Sequence, residues 1–124
     1  MVSTEVCESL FTALSAGDFE TVRYLCSPEL HASQNNGPAM NLETLLDFTA
    51  AVLGVVEHFR YENAIRSGTE SGFVEEHLVR GTLPDGSELN LAACVVGEIQ
   101  DGKVTYLREY VDSAQAIGLI KALS

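Results

Sequence analysis

Asp112 closes the segment VTYLREYVD, in which apolar and aromatic residues crowd a carboxylate. Such surroundings push a carboxyl group toward its neutral form and suit it to general acid or base work. His31, in LHASQ, is a candidate partner, since a carboxylate can orient an imidazole and stabilise its charge. Ser33 lies two residues on, hence on the same face of a strand, with a hydroxyl for substrate or water. Glu76 carries a charge that is costly to bury unless paired. Arg108 is the expected partner, if their strands are neighbours. Tyr106 and Tyr110 read as pocket walls with phenols free to bind a polar group. Each has a plainer reading. Asp112 precedes Ser113 and can act only at the start of a last helix. His31 can be a satisfied histidine near a loop, and Glu76–Arg108 a structural ion pair.

His58 and His77 fall outside that set. With Glu57 or Glu75 they could offer metal donors, but no ligand spacing joins them, and both read as surface histidines. No glycine-rich phosphate loop and no GxSxG occurs. No metal and no cofactor is expected.

The elements that must position these residues follow from periodicity. Ser3 or Thr4 caps a first helix with Val6, Leu10, Ala13 and Leu14 on one face, ended by Gly17. Asp18 caps a short second helix carrying Phe19, Val22, Leu25 and Cys26. A short strand over 29–34 and a loop at Asn35–Pro38 follow. Asn41 caps a third helix to about Gly54, with Leu42, Leu45, Leu46, Thr49, Val52 and Leu53 as its stripe. Four strands are predicted over 57–67, 72–82, 88–99 and 103–112. Leu83-Pro84-Asp85-Gly86 and Asp101-Gly102 supply two of the turns. A last helix covers 113–123. Helices followed by hairpin-linked strands predict an α+β fold with a curved antiparallel sheet packed on three N-terminal helices.

Alternation sorts the faces. Phe59, Tyr61 and Ile65 share one side of the first of these strands. Val74, Glu76, Leu78 and Arg80 oppose Phe73, Glu75, His77 and Val79. Leu89, Leu91, Ala93, Val95 and Gly97 form one set of the next strand. Val104, Tyr106, Arg108, Tyr110 and Asp112 share a face of the last. Both sheet faces are mixed, which predicts an outer face partly covered by a second subunit, hence a homodimer.

At 124 residues, 46% hydrophobic and 20% charged, the chain fits one globular domain spanning 1–124. A net charge of −11 repels nucleic acid and anionic membrane surfaces alike. Cys7, Cys26 and Cys94 have no disulfide spacing, and Cys7 and Cys26 read as small buried hydrophobes. No signal peptide or membrane span is readable, so a cytoplasmic location is expected.

LPDGSELNLAACVVGEIQDGKVTYLREYVD, with Ala16-Gly17-Asp18 after the first helix, resembles the limonene epoxide hydrolase family. The resemblance covers about 5–120 and implies the NTF2-like (cystatin-like) cone shared with ketosteroid isomerase and the SnoaL-type polyketide cyclases. It implies that Asp112 matches the terminal-strand Asp of the hydrolases, with His31 and Ser33 at their Tyr and Asn positions. Their Arg and second Asp fall on Glu76 and Leu78. Measured against ketosteroid isomerase, the Tyr falls on Leu10, the base near Gln34 and the protonated Asp near Val95. SnoaL-type cyclases rely on one acid near the end of the last strand, again matched by Asp112. The implied function is a cofactor-independent isomerase, cyclase or epoxide-hydrolase-like enzyme acting on a hydrophobic polyketide-, terpenoid- or steroid-like molecule. Asp112 and His31 would be catalytic. Ser33, Glu76, Leu78, Val95, Tyr106, Arg108 and Tyr110 would line the substrate. A non-catalytic ligand- or protein-binding module is the alternative.

Overall fold

The computed structural model describes residues 1–124. The chain runs α1 (Ser3–Ala16), α2 (Phe19–Leu25), β1 (Cys26–Gln34), α3 (Leu42–Val55), β2 (Glu57–Gly68), β3 (Gly72–Thr82), β4 (Glu88–Gln100) and β5 (Lys103–Val111). A 3-10 turn (Ser113–Ala116) and α4 (Ile117–Leu123) complete it. No helix is long and apolar enough to cross a membrane.

The helix boundaries follow local chemistry. Val2, not Ser3 or Thr4, occupies the cap of α1, and the Glu5 side chain accepts from its N–H at 3.0 Å. An acid in the first turn thus satisfies a donor that has no helical partner. Gly17 ends α1 at φ 70°, a left-handed conformation open to glycine at little cost. Asp18 and Asn41 cap α2 and α3, accepting from the N–H groups of Thr21 and Thr44. Cys26 begins β1 instead of closing α2, so that strand is longer than expected.

The sheet order is β1-β5-β4-β3-β2. All neighbours are antiparallel except β1 and β5, which run parallel. The sheet is therefore mixed, because β1 reaches it through the helices and not through a hairpin. α1, α2 and α3 cover its concave side. Seventeen buried residues cluster there, among them Leu10, Phe11, Leu14, Leu30, Phe73, Val95 and Leu107. A second cluster, with Val52, Val79, Leu89, Leu91 and Leu119, closes the end beside α4. Burying one such side chain is worth about 1.5–3 kcal/mol, so these contacts hold the helices on the sheet.

Bulges set the curvature and re-aim side chains. His58 and Asn63 both have φ 56°, where the β2–β3 register shifts. An extra residue at such a point bends the strand and swaps its faces. Phe59 and Tyr61 consequently point inward, while Ile65 points out and is 63% exposed. A further shift between Glu98 and Ile99 separates Val104, fully buried, from Tyr106 on β5. Close packing at the bend depends on Gly97. A Cβ there would lie 2.2 Å from the Phe73 ring.

Candidate functional site

A cavity of about 340 Å³ lies between α1, α3 and the concave sheet face. Phe11, Leu14, Leu45, Phe48, Val52, Phe59, Val79, Leu91, Val95, Leu107 and Leu119 make most of its wall. Its size and apolar lining fit a small, mainly hydrophobic molecule. The polar residues that border it are Ser33, Gln34, Thr49, Tyr61 and Glu109, with Ser33 on the strand face that carries His31.

Glu109 is the carboxylate of this cavity. It sits on the inward set of β5 with Leu107, and Gln34 Nε2 donates to its Oε1 at 2.8 Å. Burial pushes the Tyr61 phenol above its ordinary range, and the charges of Glu109 and Glu75 push it further. Tyr61 is thus a neutral donor in an apolar space that also holds a carboxylate.

A buried polar chain lies alongside. Glu75 is 0% exposed and His77 3%. Glu75 Oε2 accepts from His77 Nδ1 at 2.6 Å, and Oε1 accepts from Arg66 Nε at 2.8 Å and from Cys7 Sγ at 3.5 Å. Arg66 also donates to Glu8 of α1 at 2.9 Å, tying that helix to the sheet. Burial pulls the Glu75 carboxyl upward, but hydrogen bonds and charge from His77 and Arg66 outweigh it and hold the group below its ordinary range. The Cys7 thiol is pushed up to about 12, by burial first and then by Glu75, so it stays a thiol. An ionised carboxylate only accepts, so Nδ1 carries a proton, and whenever the ring is neutral Nε2 holds the lone pair. Nε2 has no partner, the only buried side-chain nitrogen or oxygen in that condition. Leaving such an atom unpaired costs roughly 1–3 kcal/mol.

The residues expected to act lie elsewhere. Asp112 is exposed beyond the end of β5, where it accepts from Ala114 N–H at 3.0 Å and caps the 3-10 turn. His31 is exposed, with its ring stacked on that of Tyr106 at 5.3 Å. Val95 and Ser33 border the cavity. Glu76, Leu78, Tyr106, Arg108 and Tyr110 occupy the opposite, outer face. Glu76 and Arg108 do not pair, because β4 separates their strands. Arg108 instead meets Glu98 on β4. Glu76, Leu78 and Tyr110 border an open groove of about 470 Å³ on that outer face, with Ile65, Ala92 and Cys94.

The inward face of β3 is one residue out of step with the expected one, so it carries Glu75 and His77 in place of Glu76 and Leu78. His77 is buried and not a surface histidine. No group of three His, Cys, Asp or Glu side chains is arranged to hold a metal ion. The register offered a signal. Counting back through the turn at Leu83–Gly86 sets Glu75 opposite Val95 and His77 opposite Ala93, both in the apolar set of β4.

The architecture is widely shared. A proposed polyketide cyclase from Xanthomonas campestris pv. campestris superposes with a TM-score of 0.82 at 15% identity, over 98% of this chain and 96% of that one. A second proposed polyketide cyclase, from Pseudomonas putida, gives 0.81 at 18% identity over 100% and 99%. An LEH-like epoxide hydrolase from M. tuberculosis gives 0.73 at 19% identity over 96% and 90%. A ketosteroid isomerase-like fold from Catenulispora acidiphila is also similar. At these identities the likeness is one of fold, the NTF2-like α+β cone. No curated protein matches the sequence. The family model for the SnoaL-like domain matches residues 7–107, and the chain belongs to that family.

Proposed function

We propose that this protein is an acid–base enzyme acting on a small, mainly apolar molecule held in the concave cavity. One observation carries the reading: an apolar chamber that holds a carboxylate, Glu109, braced by Gln34, together with the neutral phenol of Tyr61. Glu109 takes a proton from the bound molecule and returns it at another atom. Tyr61 donates to the oxygen on which charge develops. The apolar walls lower the local dielectric around the bound molecule and strengthen both interactions. Isomerisation, intramolecular cyclisation and addition of water all use this pair. The folds of the proposed cyclases and of the epoxide hydrolase support this range of reactions without selecting among them.

The test is turnover of a panel of apolar epoxides and polyketide-like diketones, followed by mass spectrometry. Glu109→Gln should lose at least a hundredfold in kcat while affinity changes by less than about threefold. An unchanged kcat would remove Glu109 from the mechanism. A binding module without catalysis is the second reading, favoured by Asp112 serving as a cap and by His31 lying outside the cavity. Ligand binding with no product from any panel member supports it.

We further propose a homodimer through the outer sheet face, where Ile65 and Tyr110 are exposed at the groove and Tyr106 is exposed further along β5. Three unpaired thiols suit a reducing compartment such as the cytoplasm.

A further inference from the structure

The strongest unmet demand in the molecule is the lone pair on His77 Nε2. It lies in a ring that is wholly enclosed and whose other nitrogen is fixed by Glu75. The ring packs on Phe11 with centroids 5.0 Å apart and on Tyr61 at 4.4 Å. Both of these aromatic residues border the cavity, as do Val79 and Val95 on the same sheet face. His77 borders the outer groove through its place on β3, and its ring reaches the chamber only through Phe11 and Tyr61, which line it.

The arrangement is that of an imidazole prepared to accept. Glu75 fixes the tautomer and compensates positive charge on the ring, and Arg66, anchored by Glu8, fixes Glu75. The bond to Glu75 Oε2 occupies one ring nitrogen, and the other is left buried and without a partner. A carboxylate and an imidazole then serve two places. Glu109 stands at the Gln34 end, and the imidazole stands behind Phe11 and Tyr61.

We propose that His77 Nε2 is the acceptor for a proton-donating group of the cavity's ligand, which is an apolar molecule carrying a hydroxyl, enol or N–H at one end. This deepens the acid–base reading and rests on the same cavity. The ligand displaces the edge of Phe11 or Tyr61 from the imidazole and supplies the missing hydrogen bond. The Glu75 carboxylate holds the ring while the proton is shared.

The test compares 2-naphthol with 2-methoxynaphthalene, matched apolar probes with and without a donor. Binding is measured by calorimetry, and His77 is followed by imidazole nitrogen resonances in ¹⁵N-labelled protein. 2-Naphthol should bind at least tenfold tighter and move the Nε2 resonance toward its protonated position, while 2-methoxynaphthalene leaves it in place. His77→Phe should erase the preference and keep affinity for 2-methoxynaphthalene. Equal affinities of the two probes in the wild type, or an Nε2 resonance that naphthol leaves unmoved, overturn the proposal even if the variant does not fold. So does a preference that survives in His77→Phe and vanishes in Glu109→Gln, which would assign the hydroxyl to Glu109. Failure of both probes to bind removes the cavity reading and this one with it. Binding without preference removes this one alone.

Discussion

Replacing Glu75 by Gln isolates the charge of the buried chain while keeping its volume. The carboxylate accepts from Arg66, Cys7 and His77, and an amide can satisfy only one side of that arrangement. With its oxygen toward Arg66 and Cys7, its NH₂ faces His77 Nδ1. The imidazole must then carry its proton on Nε2, a buried N–H in place of a buried lone pair. A charge-assisted bond is worth about 1.5–3 kcal/mol, and Arg66 is 26% exposed, so water recovers part of its loss. The net expectation is a destabilisation of roughly 2 kcal/mol. At about 4 °C per kcal/mol for a domain of this size, Tm falls by roughly 8 °C. Glu75 has a folded pKa below its unfolded value, so its contribution is complete above the unfolded value and is lost as pH falls through the folded one. Urea unfolding followed by circular dichroism, repeated from pH 7 down through the carboxylate range, measures both effects. The wild type should lose part of its advantage over Glu75→Gln at acid pH, and the two curves should converge. A stability difference below about 0.5 kcal/mol at pH 7, the level of an ordinary surface change, would refute the reasoning. So would a difference that does not change with pH.

Other consequences are simpler to check. Gly97→Ala sets a Cβ 2.2 Å from the Phe73 ring, and overpacking of this kind should cost about 1–3 kcal/mol in urea unfolding. Asp112→Ala should cost about 1 kcal/mol through loss of the cap to Ala114, whereas Asp112→Asn, an equivalent cap, should change stability and any turnover only marginally. Tyr110→Asp places a charge at the rim of the outer groove, across Cys94 from Glu76. Sedimentation should show the wild type as a dimer and this variant as a monomer if that face joins two copies.

What could be read from the residues divides along a physical line. Helix caps at Asp18 and Asn41, the glycine stop at Gly17 and the turn at Asp101-Gly102 are local, and each was legible because a few neighbouring residues decide it. The faces of the sheet are not local. Alternation gives two sets per strand, and only pairing across the sheet says which set is inward. On β4 the answer was present, since Leu89, Leu91, Ala93 and Val95 contrast with Glu88, Asn90 and Glu98. It could have been carried to β3 through the Leu83–Gly86 turn, bringing Glu75 and His77 inside. On β2 and β5 counting fails, because the bulges at Asn63 and beside Ile99 invert parity midway. Asn63 is a residue type that tolerates the left-handed conformation it adopts, but Thr105 does not announce an extra residue.

The bulge on β5 also explains why Glu109 and not Asp112 becomes the acid of the cavity. Parity counted from Val104, which is buried, would send Tyr106, Arg108 and Tyr110 inward and drive an arginine into the apolar chamber. The shift beside Ile99 moves that set to the outer face, where Arg108 finds Glu98, and turns Leu107 and Glu109 inward. Val111 ends the strand, so Asp112 leaves the ladder and its carboxylate accepts from the Ala114 N–H. One inserted residue thus decides which carboxylate faces the cavity, and an acid near the end of the last strand turns inward only if its distance from the bulge has the right parity.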